Sequence, residues 1–489
     1  MLKLYFACLC MILLFGCEQN NNKSITLKKS EILLIKGTAI YSGAELPLEL
    51  FIDKKGMFIA KIGGWVNQIT GFDGESLWRI DNGVGPFDID FSEKELMLFA
   101  HLSLIKNWRE IKMMNIYNDT LQLDNGLLKM MSKYHEGTLK ELTAVNSYYK
   151  ETISFIGNLR NGSIEIPQEI KFDIAFPLSS YSLKSVEKNI KSDNWFEKPD
   201  YRAVGVSYNS EIPPKIEIRK TASGNLFIKP RINGHEVGWF LFDTGAGISL
   251  IEEEAIKGFN FPVVGKQIIG GIGGRLMEKE VITVDNISLG SLTIDKLNFI
   301  KSEKTLDEIR NSKASKILGE PVMGVLGWDI LLRSIVEMDM HNGTITINNP
   351  ANYELDKKYV EKLFLHWNVP YVMATFEGNK KGYFLIDSGA GNKGPIFHSM
   401  AVDRLDLLNN RKTKSGKVIG AGGEADVEIG MLEWIQVGGH RTNNITSIFL
   451  RGDDGEADLF TSGFLGGKVI QSQIIVFDYA HNEIGFIPR

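Results

Sequence analysis

Two stretches of the chain, RINGHEVGWFLFDTGAG (231–247) and FEGNKKGYFLIDSGAG (376–391), are copies of one pattern. Each runs through a polar glycine turn into an aromatic-rich apolar strand and ends in Asp-Thr-Gly or Asp-Ser-Gly. Further landmarks recur in the same order. QIIGGIGGRL (267–276) is matched by KVIGAGGEA (417–425), and VLGWDILLRSIVEMD (325–339) by FLGGKVIQSQIIVFD (464–478). Each copy closes with a turn and a short strand, HNGTITI (341–347) and HNEIGFI (481–487), with Asn342-Gly343 a hairpin signal. A duplication of this length requires both halves to adopt one supersecondary plan, which constrains the fold more than composition does.

A lone Asp-Thr/Ser-Gly triplet reads as a turn, since chance supplies roughly 0.3 per chain of this size at average composition. Two triplets in register, each after an apolar strand and before a Gly-rich hairpin and an apolar-apolar-Gly strand, read as a site. The candidate carboxylates are Asp243 and Asp387. Such a pair offers peptide-bond hydrolysis without metal or nucleophilic side chain. Two neighbouring carboxylates share one proton, the ionised member activating water and the protonated member assisting the carbonyl and the leaving amine. The pair titrates as a unit, and sequence assigns neither role to either residue.

This constellation resembles the retropepsin-like and pepsin-like aspartic proteases over about residues 205–489. The resemblance implies a mainly β fold with two retropepsin-like barrel lobes in one chain, residues 205–350 and 351–489. It implies catalytic Asp243 and Asp387, with Thr244 and Ser388 as hydroxyls that lock the loops together. Gly245 and Gly389 would admit backbone amides to the carboxylates. Glycine-rich flaps over the substrate are implied at Gly270, Gly271, Ile272, Gly273 and Gly274, and at Gly420, Ala421 and Gly422. Gly327 and Gly466 would allow close packing beneath the loops. A second flap is retroviral rather than pepsin-like, and NKGPIFHSM (392–400) differs from ISLIEEEAI (248–256). Lys393 and His398 lie close to Asp387 in sequence; Lys393 reads as a solvated surface residue. Ala246 and Ala390 stand where pepsins carry a hydroxyl donor, which predicts a mildly acidic to near-neutral optimum.

The chain has 489 residues, enough for two or three domains. Residues 30–204 read as a β-rich domain from runs such as ILLIKGTAIY, LPLELFID and GMFIAKIGG, with a helical stretch at 95–111. GFDGESLWRID (71–81), NGSIEIPQEIKF and NWFEKP resemble the half-barrel of the lipoprotein-carrier and LppX-like families, which implies an apolar ligand face. A substrate-docking or spacer domain is the plainer alternative.

All three cysteines, Cys8, Cys10 and Cys17, lie at the start, in MLKLYFACLCMILLFGC. That segment resembles a bacterial lipoprotein signal, which implies a signal peptide at 1–16, lipidation of Cys17 and a polar tether over 17–29. Glu18 after the cysteine favours an extracytoplasmic, lipid-anchored, outer-membrane placement, periplasmic or surface-facing. A net charge of −5 points to neither nucleic acid nor a polybasic membrane patch. The eight histidines show no metal-ligand spacing, and no metal or cofactor is expected. The expected partners are a polypeptide substrate and the membrane through the N-terminal lipid, with the duplicated lobes forming a monomeric unit. The alternative from another class is a non-catalytic lipoprotein that binds peptide or lipid on a degenerate protease fold.

Overall fold

The computed structural model describes residues 29–90, 101, 104, 116–117, 120–123, 126–135, 138–145, 150–173, 178–302, 313–452 and 460–489. The expected signal peptide, Cys17, nearly all of the tether and most of the helical stretch at 95–111 lie outside the described residues. The chain is mainly β, as its repeated alternation predicts.

The N-terminal part is a curled, half-barrel antiparallel sheet of fourteen strands. At its centre Lys29–Tyr41 pairs on one side with Ala44–Asp53 and on the other with Leu178–Ser192. The Phe-Asp-Gly and Trp motif has a local cause. Gly71 faces Trp78 across the strands, and a side chain at Gly71 would strike the indole ring, which covers the bare backbone. Asp73 closes the turn between them by accepting from the amides of Glu75 and Ser76, both at 2.9 Å.

The chain leaves this sheet between Ala203 and Val206. Arg202–Ala203 pairs with Val84 and Gly85, whereas Val206–Tyr208 pairs with Leu292–Ile294. From there the duplication becomes a pseudo-two-fold. Trp239–Phe242 runs parallel to Val322–Leu326, and Lys380–Ile386 runs parallel to Thr461–Leu465. Leu250–Glu252 is sandwiched between Val322–Leu326 and Leu292–Ser302, as Pro395–Phe397 is between Thr461–Leu465 and His440–Leu450. Each Gly-led helix, Trp328–Arg333 and Gly467–Ile470, follows its apolar-apolar-Gly strand.

The two lobes are fused through one six-stranded sheet. Ile335–Asp339 pairs antiparallel with Gln473–Asp478, with Glu337 opposite Val476. These strands bury both faces, so their continuous apolar runs belong to a shared core. Asp339 and Asp478, which end them, cap the following turns by accepting from Asn342 and His481.

The curled sheet docks on the duplicated half. Asp90 exchanges two bonds with Leu365, its amide donating to the carbonyl at 2.9 Å and its Oδ2 accepting the amide at 3.0 Å. Its inner apolar residues, Leu48 and Phe72 among them, share one cluster with Tyr371, Leu385 and Phe464 of the second lobe.

Candidate active site

Asp243 and Asp387 sit at the ends of the two equivalent buried strands. Each backbone amide is fixed by the strand beneath: Asp243 N donates to Leu326 O at 2.9 Å and Asp387 N to Leu465 O at 3.1 Å. The residues separated by 144 positions therefore meet at the pseudo-two-fold, where a Cβ on Gly245 would lie 3.1 Å from Asp387 Oδ1 and 3.3 Å from Asp243 Oδ1, and the charge of Asp387 acts on Asp243.

The hydroxyls of the next residues interlace the loops. Thr244 Oγ1 donates to Ile386 O at 2.5 Å and accepts from Ser388 N at 3.0 Å. Ser388 Oγ donates to Phe242 O at 2.9 Å and accepts from Thr244 N at 3.0 Å. Both side chains are fully buried, so these four bonds are shielded from water and set the spacing of the loops.

The glycines leave room for the carboxyls. A Cβ on Gly389 would lie 2.5 Å from Asp243 Cγ, and one on Gly245 would lie 3.1 Å from Asp387 Oδ1. The amides so admitted donate inward: Gly245 N to Asp243 Oδ1 at 2.9 Å and Ala390 N to Asp387 Oδ1 at 3.0 Å.

Burial holds the Asp243 carboxyl up at about 8, reinforced by the negative charge of Asp387 and opposed by the Gly245 amide. Burial also raises Asp387, against the Ala390 amide and the charge of Lys393. Lys393 is exposed, as its sequence context suggests, yet its field reaches Asp387. His398 is buried edge-on against Phe464 and belongs to the packing of the second lobe.

Both flap motifs form hairpins. Val263–Ile269 pairs with Met277–Leu289, and Thr413–Gly420 with Gly423–Val437. The tips meet: Gly422 N donates to Ile272 O at 2.9 Å and Arg275 N to Gly422 O at 3.1 Å. The approach demands glycine at Gly273, which has φ +104° and whose Cβ would lie 2.5 Å from the Gly423 backbone. Ala421 occupies the turn between Gly420 and Gly423. Ile272 and Ala390 both pack against the apolar cluster shared with the N-terminal sheet.

Three contacts escaped the sequence reading. The hairpin joining Ile218–Lys220 to Leu226–Ile228 crosses to the Asp387 loop, where Asn225 Nδ2 donates to Gly389 O at 2.8 Å. The hairpin joining Phe364–His366 to Val369–Phe376 crosses to the first, its Trp367 carbonyl lying against Gly247. Trp65 of the N-terminal sheet lies over Gly265 in the first flap, and its carbonyl accepts from Asn298 at 3.0 Å. Only the turn residues Ser223-Gly224-Asn225 and Trp367-Asn368 carry a local signal, and a turn signal names no partner. Among the described residues no group of His, Cys, Asp or Glu is placed to hold a metal ion.

Comparison with known proteins agrees with this geometry. The aspartyl protease family model matches residues 228–330 and 372–468, one match per lobe, each containing its Asp-Thr/Ser-Gly triplet. Two regions of the chain, one in each lobe, are thus similar to aspartyl protease family domains, which supports a protease-like fold. A LolA superfamily protein from Nitrosomonas europaea is similar in its crystal structure at 13% identity, over 36% of this chain and 92% of its own, with a TM-score of 0.20. No curated protein matches the chain.

Proposed function

We propose that this protein is an aspartic endopeptidase in which Asp243 and Asp387 share one proton and activate a water molecule against a peptide bond. The observation that carries the reading is the interlaced Thr244–Ser388 network, which sets two partly buried carboxyls against each other and supports the spacing of their loops. Repulsion and burial keep one carboxyl protonated at neutral pH, so general base and general acid coexist in the same pair. Two aspartates sharing a single proton are the known working arrangement of aspartic proteases in general. The substrate is an extended polypeptide lying beneath the flaps, which part to admit it and close to exclude water. No cofactor is required. The duplicated lobes complete the dyad within one chain, and we read the protease unit as monomeric. Lipidation at Cys17 would hold it extracytoplasmically, at the outer membrane.

The test is cleavage of a denatured-protein and peptide-library mixture by the chain from Glu18 onward, from pH 3 to 8, beside Asp243→Asn and Asp387→Asn. Both variants are expected to lose cleavage. Cleavage surviving in either would refute a single centre, and peptide binding without cleavage by the parent would favour a non-catalytic binding protein.

A further inference from the structure

We propose that Asn225 is a positioning residue that, through the peptide group joining Gly389 to Ala390, makes Asp387 the member of the pair that carries the negative charge. The inference deepens the peptidase reading and rests on it for its catalytic meaning, though not for its titration.

The geometry is a relay. The Gly389 carbonyl and the Ala390 amide belong to one peptide group. Asn225 Nδ2 donates to its oxygen at 2.8 Å, and its N–H donates to Asp387 Oδ1 at 3.0 Å. A donor at the oxygen end polarises the group and strengthens the bond made by the nitrogen end, by about 10–30% per linked bond. Stronger donation to the charged form favours the carboxylate.

The Asn225 side chain is itself held. Ser223 Oγ donates to its Oδ1 at 2.8 Å, and Thr221 Oγ1 lies 2.8 Å from Ser223 Oγ. The same turn grips the loop through its backbone, with Asn392 N donating to Ser223 O at 2.6 Å. The amide of Asn225 therefore points at Gly389 by construction, its oxygen end already occupied.

The other half is arranged differently. Asp243 receives the Gly245 amide at 2.9 Å, and the hairpin over its loop presents the Trp367 carbonyl against Gly247. The charge felt at Asp387 is that of Lys393 on its own loop, while Asp243 from the opposite loop meets it as a hydrogen-bond partner that also favours its ionised form. Lys393 favours the ionised form as Asn225 does, so both act at the second loop to bias the shared proton toward Asp243.

The test uses the full chain in detergent with the aspartate carboxyl carbons labelled, the Asp387 signal being identified by its loss in Asp387→Asn. The carboxyl shifts are followed against pH in the parent, Asn225→Ala, Asn225→Asp and Ser223→Ala, together with the pH profile of kcat/KM where cleavage is measurable. Loss of the relay is expected to move the lower ionisation of the pair, and the acid limb of the profile, up by about half a pH unit in Asn225→Ala. The move should be larger in Asn225→Asp and smaller, in the same direction, in Ser223→Ala, with KM little changed. Should Asn225→Ala fail to fold, Ser223→Ala, which lies farther from the carboxyls, carries the test alone. A lower ionisation that stays in place in every folded variant, whatever the loss of rate, overturns the proposal. A parent that cleaves nothing but shows the shifts would sink the peptidase reading and leave the relay standing.

Discussion

Replacing Thr244 by valine isolates the interlaced hydroxyl network, because valine keeps the shape and removes the oxygen. Two buried bonds vanish, Thr244 Oγ1 to Ile386 O and Ser388 N to Thr244 Oγ1. Each such bond contributes about 1 kcal/mol net, and a buried amide left without its acceptor costs about 1–3 kcal/mol more. The Ser388 amide is that orphan, so the loss is about 3 kcal/mol. The two lobes share a core and a sheet, and their joint unfolding translates 1 kcal/mol into about 2 °C. The midpoint should therefore fall by about 6 °C in scanning calorimetry. Thr244→Ser retains both bonds, loses one methyl group and should fall by no more than about 2 °C. Ser388→Ala removes the mirror pair, and the double variant should fall short of the sum by about 1 kcal/mol or more, because each hydroxyl is the other loop's acceptor. A valine variant no less stable than the serine variant would refute the assignment of these four bonds as the element that sets the loop spacing.

Two further outcomes follow from the same loops. Gly389→Ala should abolish cleavage while Gly245→Ala only impairs it, since the added methyl meets Asp243 Cγ at 2.5 Å in one case and Asp387 Oδ1 at 3.1 Å in the other; equal effects in a kcat/KM comparison would count against this spacing. Asp243→Asn should become more stable relative to the parent as pH rises. The Asp243 carboxyl stands at about 8 in the folded chain against 3.8 as its ordinary value, so its contribution is fully present below about 4 and is lost as pH rises through 8. Midpoints at pH 5 and pH 8 would check this, and a variant-minus-parent difference that does not grow with pH would contradict it.

The Asp-Thr-Gly and Asp-Ser-Gly loops and their pairing across the duplication were legible because their residues are local and repeated. Asp243-Thr244-Gly245 and Asp387-Ser388-Gly389 carry their signature in three letters, and the apolar strand before each dictates where the carboxyl emerges. The flaps were legible for a related reason, since Gly273 and Gly422 must be bare where two hairpin tips touch. The contacts that bring distant segments together left no such mark. Asn225 reaches Gly389 across 164 positions through an ordinary turn. Asp90 and Leu365 join the N-terminal sheet to the second lobe largely through backbone groups that every residue possesses. The fusion of the lobes through Glu337 and Val476 was hidden because strand pairing is written in register, not composition.

The asymmetry between the loops has a chemical reason within the proposed mechanism. Two equivalent carboxyls that share a proton are distinguished only by where that proton resides, and either arrangement is equally populated. Water activation needs the base on one side of the substrate carbonyl and the acid positioned for the other, so an unbiased pair spends part of its time in the wrong arrangement. A duplicated chain is free to let its copies diverge around a constant backbone. Here Thr244 and Ser388 preserve the symmetric scaffold, while Lys393 and Asn225 act on the second loop alone. The first copy contributes Asn225 to the second copy's loop, so the bias is built across the pseudo-two-fold and depends on both halves being docked. A lobe that loosens from its partner loses the carboxyl contact and the charge bias together, which couples the acid–base competence of the pair to the integrity of the shared six-stranded sheet.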